Sequence, residues 1–326
     1  MSHARAIALA GLALFAAAAV GLGPRRERFA RAGLTGPEGD RGTTAARAAA
    51  PPARSGAATA PAADPNEVLA AACRRQAEAL RRRLDRGFSL VVRPPFVVAG
   101  NLPQDRLESL SAGSVVRPAE AMWKAYFRRR PTEVITVLLL ADERSYRRWA
   151  DRLFADKDVP YFGYYKGDPR TLVMNIATGT GTLVHELTHA LIVWDFPDVP
   201  TWFNEGLASL HEQCQVGRDD VVGLVNWRLP GLQQAIRAGR LRPLRDLLTR
   251  DDFRGAQQGL NYAQARYFVM FMQQQGVLKK FYAHFRENHD GPEAGVKAAE
   301  AIFGRGFDGV EKDFLAWVGG LKFPPD

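Results

Sequence analysis

Residues 171–213 read TLVMNIATGTGTLVHELTHALIVWDFPDVPTWFNEGLASLHEQ. The first six, Thr171–Ile176, form a strand-like run, and Tyr161–Tyr165 before them form another. Lys166-Gly167-Asp168-Pro169 between the two is turn chemistry, so the spacing predicts a hairpin. From Gly179 onward the apolar residues recur at helical spacing, which predicts helices over about 182–194 and 201–213. Pro200 and Thr201 suit the start of the second, with Thr201 as its cap.

Working outward, Glu67 to Arg86 has a helical apolar pattern. Ser89–Ala99 reads as a strand broken at Pro94–Pro95, and Pro103 to Phe127 as a helix. Val134–Leu140 is an unbroken apolar run, expected of a buried strand, and Glu143 to Phe154 is a helix. Beyond residue 213 the pattern is helical at about 230–238, 243–248, 260–275, 277–288 and 309–320. Strands mixed with helices come first and helices alone follow. That order predicts an α+β fold with a small N-terminal sheet, a pair of central helices and a helical C-terminal half.

The N-terminus differs. His3 and Arg5 precede an uncharged run, Ala6 to Gly23, with small residues such as Ala17 and Ala19. This pattern predicts an export signal over residues 1–23, cleaved or kept as a membrane tether through residues 6–23. Arg25, Arg26, Arg28 and Arg31 follow at once, and such residues favour a cytoplasmic position, the competing expectation. Residues 24–65 are Ala, Gly, Pro, Arg and Thr with few large apolar side chains. They cannot bury enough surface to offset chain entropy and read as a linker. The folded domain is expected over 66–326.

The formal charge is +9, from 44 basic and 35 acidic side chains. Residues 1–65 carry eight arginines and four acids, which leaves +5 on the other 261. No dense basic stripe with interleaved aromatics stands out, so a nucleic-acid partner is not expected. Two cysteines, Cys73 and Cys214, are too few for a disulfide scaffold. One bridge and two free thiols both remain open.

The chemistry lies in His185-Glu186-Leu187-Thr188-His189. Positions i and i+4 share a helix face, so two imidazoles at this spacing can bind one zinc ion. Glu186, beside the first, can act as general base on a water at the metal. Chance produces this pattern in roughly one chain in two hundred of this histidine content, so the motif outweighs an ordinary hydrogen-bonding role for the two histidines. Glu205, on the following helix, is the natural third ligand. Asp195 is a rival, six residues beyond His189, but a helix running to residue 195 points it away from both histidines.

At these residues the chain resembles the gluzincin metallopeptidases, in particular the peptidase MA-like domains of bacterial proteins. The likeness is strongest over about residues 161–213. It implies zinc held by His185, His189 and Glu205, with Glu186 as base, peptide or protein substrates, and active-site helices like those of thermolysin. Asn204 precedes the glutamate as it often does in that clan. Ser209 stands where thermolysin-like enzymes carry an aspartate that orients a zinc histidine. The family often supplies an oxyanion donor from a downstream helix, and Tyr262 is the candidate here, against a plain packing role; Tyr267 is expected to face elsewhere. Thr171–Ile176 is expected to border the cleft, where an extended peptide adds as a strand, with Asn175 as a contact. His211 is expected at the surface, as are Arg81–Arg83 and Arg128–Arg130. Phe268, Met270, Phe271 and Met272 are expected in the core.

Overall fold

The computed structural model describes residues 64–323. The predicted signal or tether, Ala6 to Gly23 included, and nearly all of the predicted linker lie outside them. Among the described residues no helix is long and apolar enough to cross a membrane. Helix α1 (Pro65–Arg83) opens slightly earlier than expected. The Asp64 side chain accepts the Asn66 N–H, and Pro65 takes the first helical position, where its missing N–H costs nothing.

Strands β1 (Ser89–Arg93) and β2 (Phe96–Gly100) are the two halves of the expected broken strand. Pro94–Pro95 is a turn that folds the chain into an antiparallel hairpin, pairing Arg93 with Phe96. Helices α2 (Gln104–Leu110) and α3 (Arg117–Ala125) are joined by a π-helical segment, Ser111–Val116, so the predicted single helix is continuous but widened at its middle. Then come β3 (Ile135–Leu140), α4 (Glu143–Phe154), β4 (Gly163–Lys166) and β5 (Thr171–Asn175). Asp142 and Ser145 exchange capping bonds at the start of α4. The predicted β4–β5 hairpin is present and antiparallel, with Lys166 paired to Thr171 and the turn at residues 167–170, one later than expected.

The five strands form one mixed sheet in the order β1-β2-β3-β5-β4. Central β3 is buried at every residue, as its apolar run requires. Its side chains alternate between two cores. Leu138 and Leu140 join Val97, Ala99 and Val173 under α1 and α4, against Cys73, Leu80, Tyr146 and Trp149. Val137 and Leu139 join Val98, Leu172 and Met174 on the opposite face, in the core that includes Met122, Leu183 and Leu187.

That opposite face leads to the helical half. Helices α5 (Gly181–Asp195) and α6 (Thr201–Glu212) follow β5. Pro200, not Thr201, occupies the cap position of α6, and no side chain caps it. A two-stranded ribbon, β6 (Cys214–Val216) and β7 (Val221–Gly223), comes next. The chain ends in α7 (Leu229–Arg237), α8 (Leu244–Thr249), α9 (Gln258–Gln274), α10 (Leu278–Glu287), α11 (Ala294–Phe303) and α12 (Phe307–Gly320). The ribbon and α11 were not foreseen from the sequence. The architecture is α+β with a helical C-terminal half, as expected. Phe268, Met270, Phe271 and Met272 are buried on α9. Cys73 and Cys214 are both free thiols.

Two glycines set how closely the central helices approach. A Cβ on Gly206 would stand 2.9 Å from Val269 Cγ2 and 3.1 Å from the Ala265 carbonyl, so bare backbone lets α6 settle on α9. A Cβ on Gly181 would stand 2.5 Å from the Glu212 carbonyl. The start of α5 therefore presses on the end of α6, and the pair runs antiparallel.

Candidate metal centre

Helix α5 is apolar on most of its circumference, with Leu183, Val184, Leu187, Ala190, Leu191 and Ile192 buried. His185, Glu186 and His189 are half-buried, on the remaining stripe. One turn of helix separates the imidazoles, and their Nε2 atoms stand 3.1 Å apart. Helix α6, packed alongside, brings buried Glu205 to them. Its Oε2 lies 3.4 Å from His189 Nε2 and 3.6 Å from His185 Nε2. Among the described residues these three form the group of metal-binding side chains close enough to share one ion.

The spacings can be tested against zinc. With metal–ligand distances near 2.0–2.1 Å, neighbouring ligand atoms of a tetrahedral site lie about 3.3–3.4 Å apart. The three observed separations bracket that value. Protonation fits as well. His189 Nδ1 is 2.7 Å from Asn204 Oδ1, an acceptor, so the proton is on Nδ1 and Nε2 offers a lone pair. Glu205 Oε2 is buried without a hydrogen-bond partner. A buried carboxylate oxygen left bare is costly, and a cation between it and the imidazoles removes that cost.

The electrostatics agree. Burial works against a charged Glu205, but the His185 and His189 imidazoles hold its carboxyl well below the usual range. Burial likewise opposes charge on His189, yet Glu205, with Glu186 and Asn204, raises it overall. Both directions describe a seat that favours positive charge.

Glu186 is near enough for its charge to raise both His189 and Tyr262. Tyr262, half-buried on α9, packs its ring 5.1 Å from Phe253. Burial, then the Glu205 charge, pushes its hydroxyl well above the ordinary value, so it stays a proton donor. Of the expected site residues, His185, His189 and Glu205 are brought together. Glu186 follows His185 on α5, and Tyr262 on α9 is close enough to feel the Glu205 charge.

Other expectations change. Asp195 is buried at the end of α5 and is no ligand. Its Oδ1 accepts the Arg128 and Arg129 N–H groups, both at 2.8 Å, and its Oδ2 accepts from Tyr282 (2.9 Å) and Arg286 (2.7 Å). The Arg128–Arg130 side chains are exposed, as expected, but two of their backbone amides do this anchoring. His211 is fully buried rather than at the surface. Its Nδ1 is 3.0 Å from Thr188 Oγ1, which donates to the Val184 carbonyl, so Thr188 accepts and Nε2 is unprotonated. Burial, then Arg266 and His185, pushes His211 down to about 3.

Ser209 does not take the place of an orienting aspartate, because its buried hydroxyl makes no hydrogen bond. The orienting contact is Asn204 on His189. Strand β5 is interior, and β4 is the sheet's edge beside it. Asn175 is buried, with Nδ2 on the Tyr161 carbonyl at 3.3 Å, and so is not a cleft contact. Tyr267 faces away, as expected, bonded to Asn226. Sequence reasoning missed Arg254, whose NH2 donates to Glu205 Oε1 at 2.5 Å. It lies in a loop outside any motif, and its only signal is its place just before the helix carrying Tyr262. In comparisons with known proteins, no protein-family model matches the chain and no curated protein matches it.

Proposed function

We propose that this chain is a zinc-dependent metallopeptidase of the gluzincin kind, acting on peptide or protein substrates. The observation that carries the reading is Glu205 Oε2: a buried, unpartnered carboxylate oxygen facing two imidazole nitrogens, with Glu186 on the same stripe of α5. His185, His189 and Glu205 would hold the metal. Zinc supplies Lewis acidity, which makes a water acidic near neutral pH and polarises a carbonyl.

The chain's own residues do the rest. Asn204 fixes the His189 tautomer and thereby its lone pair. Glu186 takes a proton onto its carboxylate from the attacking water and returns it to the leaving nitrogen. Tyr262, kept protonated by burial and by Glu205, donates its hydroxyl to the oxygen on which negative charge develops. Edge strand β4, rather than β5, is where an extended peptide would add. The N-terminal residues support export, with cleavage or tethering, as the setting.

A second reading is a zinc- or peptide-binding cell-envelope domain of this kind without turnover. It is favoured by Ser209, which leaves the site without the orienting aspartate. Glu186→Gln separates the two. The peptidase reading expects cleavage of a peptide library by the wild-type chain, loss of cleavage in the variant, and zinc retained in both. Wild-type zinc binding with no cleavage of any peptide favours the second reading, and cleavage surviving in the variant removes the mechanism.

A further inference from the structure

The seat has a fourth member that lies in no motif. Arg254 belongs to the loop of residues 250–257 between α8 and α9, and its side chain is 66% exposed. It nevertheless reaches Glu205 Oε1, whose side chain is 4% exposed. The loop is tied on both sides of it. Asp252 pairs with Arg242 at 2.8 Å, and the Gly255 N–H bonds to the Asp252 carbonyl at 3.0 Å. Asn261 Nδ2, on α9, donates to the Phe253 carbonyl at 2.8 Å, and the Phe253 ring rests on Tyr262. Arg254 is thus delivered to the carboxylate by a fixed stretch of backbone.

The two oxygens of Glu205 have different surroundings. Oε1 is committed to a guanidinium, in a charge-assisted bond of the strong class. Oε2 has no donor and faces the imidazoles. We propose that Arg254 is a positioning residue for the metal: by occupying Oε1, it makes Glu205 present one oxygen, Oε2, to the ion. The proposal rests on the metal-centre reading above. A carboxylate free at both oxygens can chelate an ion with the pair, taking a position a catalytic site needs open. Arg254 prevents that and fixes the carboxylate plane through its planar donor group.

Metal affinity alone cannot test this role. The guanidinium orders a ligand, which strengthens binding, and repels a divalent ion, which weakens it. The number of oxygens bound is the direct readout. Cobalt(II) reports it, because its visible absorption is intense with four ligands, intermediate with five and weak with six.

The experiment loads the full-length chain with Co(II) alone and records the visible spectrum of wild type, Arg254→Ala and Arg254→Lys. Circular dichroism confirms folding, and Arg254 is exposed enough for truncation to be tolerated. Wild type is expected to show the intense band at one cobalt per chain. Arg254→Ala should bind the ion but fall to the intermediate intensity of five ligands, and Arg254→Lys, which returns a cationic donor to Oε1, should recover the intense band. Identical intense bands in wild type and Arg254→Ala overturn the role of Arg254 while leaving the metal centre standing. A wild-type chain that takes up no cobalt overturns both.

Discussion

Asp195 and Glu205 are both buried acids on the paired helices α5 and α6, and the fold treats them in opposite ways. Asp195 has two donors on each oxygen: two backbone amides on one, Tyr282 and Arg286 on the other. Glu205 has Arg254 on one oxygen and no hydrogen-bond donor on the other, which faces two imidazole nitrogens. A carboxylate with every lone-pair direction filled has none to offer a metal. It is a structural anchor, tying the end of α5 to α10 and to the segment after α3. A carboxylate with one oxygen turned toward other ligand atoms is a ligand in waiting. The two acids compete in the sequence for the same role, and their hydrogen-bond partners separate them.

The sharpest way to break this comparison is to remove each acid in turn. Asp195→Ala leaves the buried Tyr282 hydroxyl and two backbone amides without their acceptor and leaves Arg286 only Glu287. It should cost about 3–5 kcal/mol of stability, the usual effect of removing one side of a buried pair. Its zinc affinity per folded chain should be near wild type. Glu205→Ala should do the reverse for metal. It should weaken zinc binding by more than the roughly 10–100-fold that follows loss of an outer-shell partner. Urea unfolding and chelator competition on both variants measure this; zinc binding that falls in Asp195→Ala and survives in Glu205→Ala would exchange the two assignments. Next in size, Asn204→Ala releases the His189 tautomer and should cost roughly 10–100-fold in zinc affinity.

His211 sharpens the rule. Its Nε2 is also buried without a partner, but its charged neighbour is the Arg266 guanidinium rather than a set of ligands. An unpartnered atom marks a metal seat only where other ligand atoms converge on it. The buried imidazole should instead appear in the pH dependence of stability. Its folded pKa, about 3, lies below the unfolded value near 6.5, so the unfolded chain takes up the proton first. Stability from this residue is full above about pH 6.5 and is lost as pH falls toward about 3. Between pH 6.5 and 5 the loss should be on the order of 2 kcal/mol. In chelator, His211→Gln should show a shallower acid decline than wild type; equal slopes would mean that His211 is not buried neutral. The smallest effect belongs to Ser209→Ala. That hydroxyl bonds to nothing, so zinc affinity should change less than about twofold, well under the cost of losing an orienting partner. A tenfold loss would make Ser209 an orienting residue.

The elements legible in the sequence are those where local pattern and tertiary environment agree. The run Val134–Leu140 reads as a strand covered on both faces, and β3 is one. His185 and His189 share a face because of helical spacing alone. Pairing was harder to read. Thr171–Ile176 looks equally strand-like at an edge or in the middle, and only β4 on one side and β3 on the other decide it. Ala294–Phe303 is rich in Ala, so its buried stripe carries little apolar contrast, and it follows Gly291 and Pro292, which read as loop. His211 was misplaced because the metal side of α6 says nothing about its far side, where Thr188 and the Tyr126 ring enclose it. Arg254 had no pattern to betray it, because its role depends on where a loop folds.

The central claim is that His185, His189 and Glu205 hold one zinc ion. Its most direct test is the zinc content of the purified full-length chain, free of tag histidines, by elemental analysis after reconstitution and dialysis. One zinc per wild-type chain is expected, and far less in Glu205→Ala under the same dialysis. No zinc in the wild type, or equal zinc in the two, would contradict it.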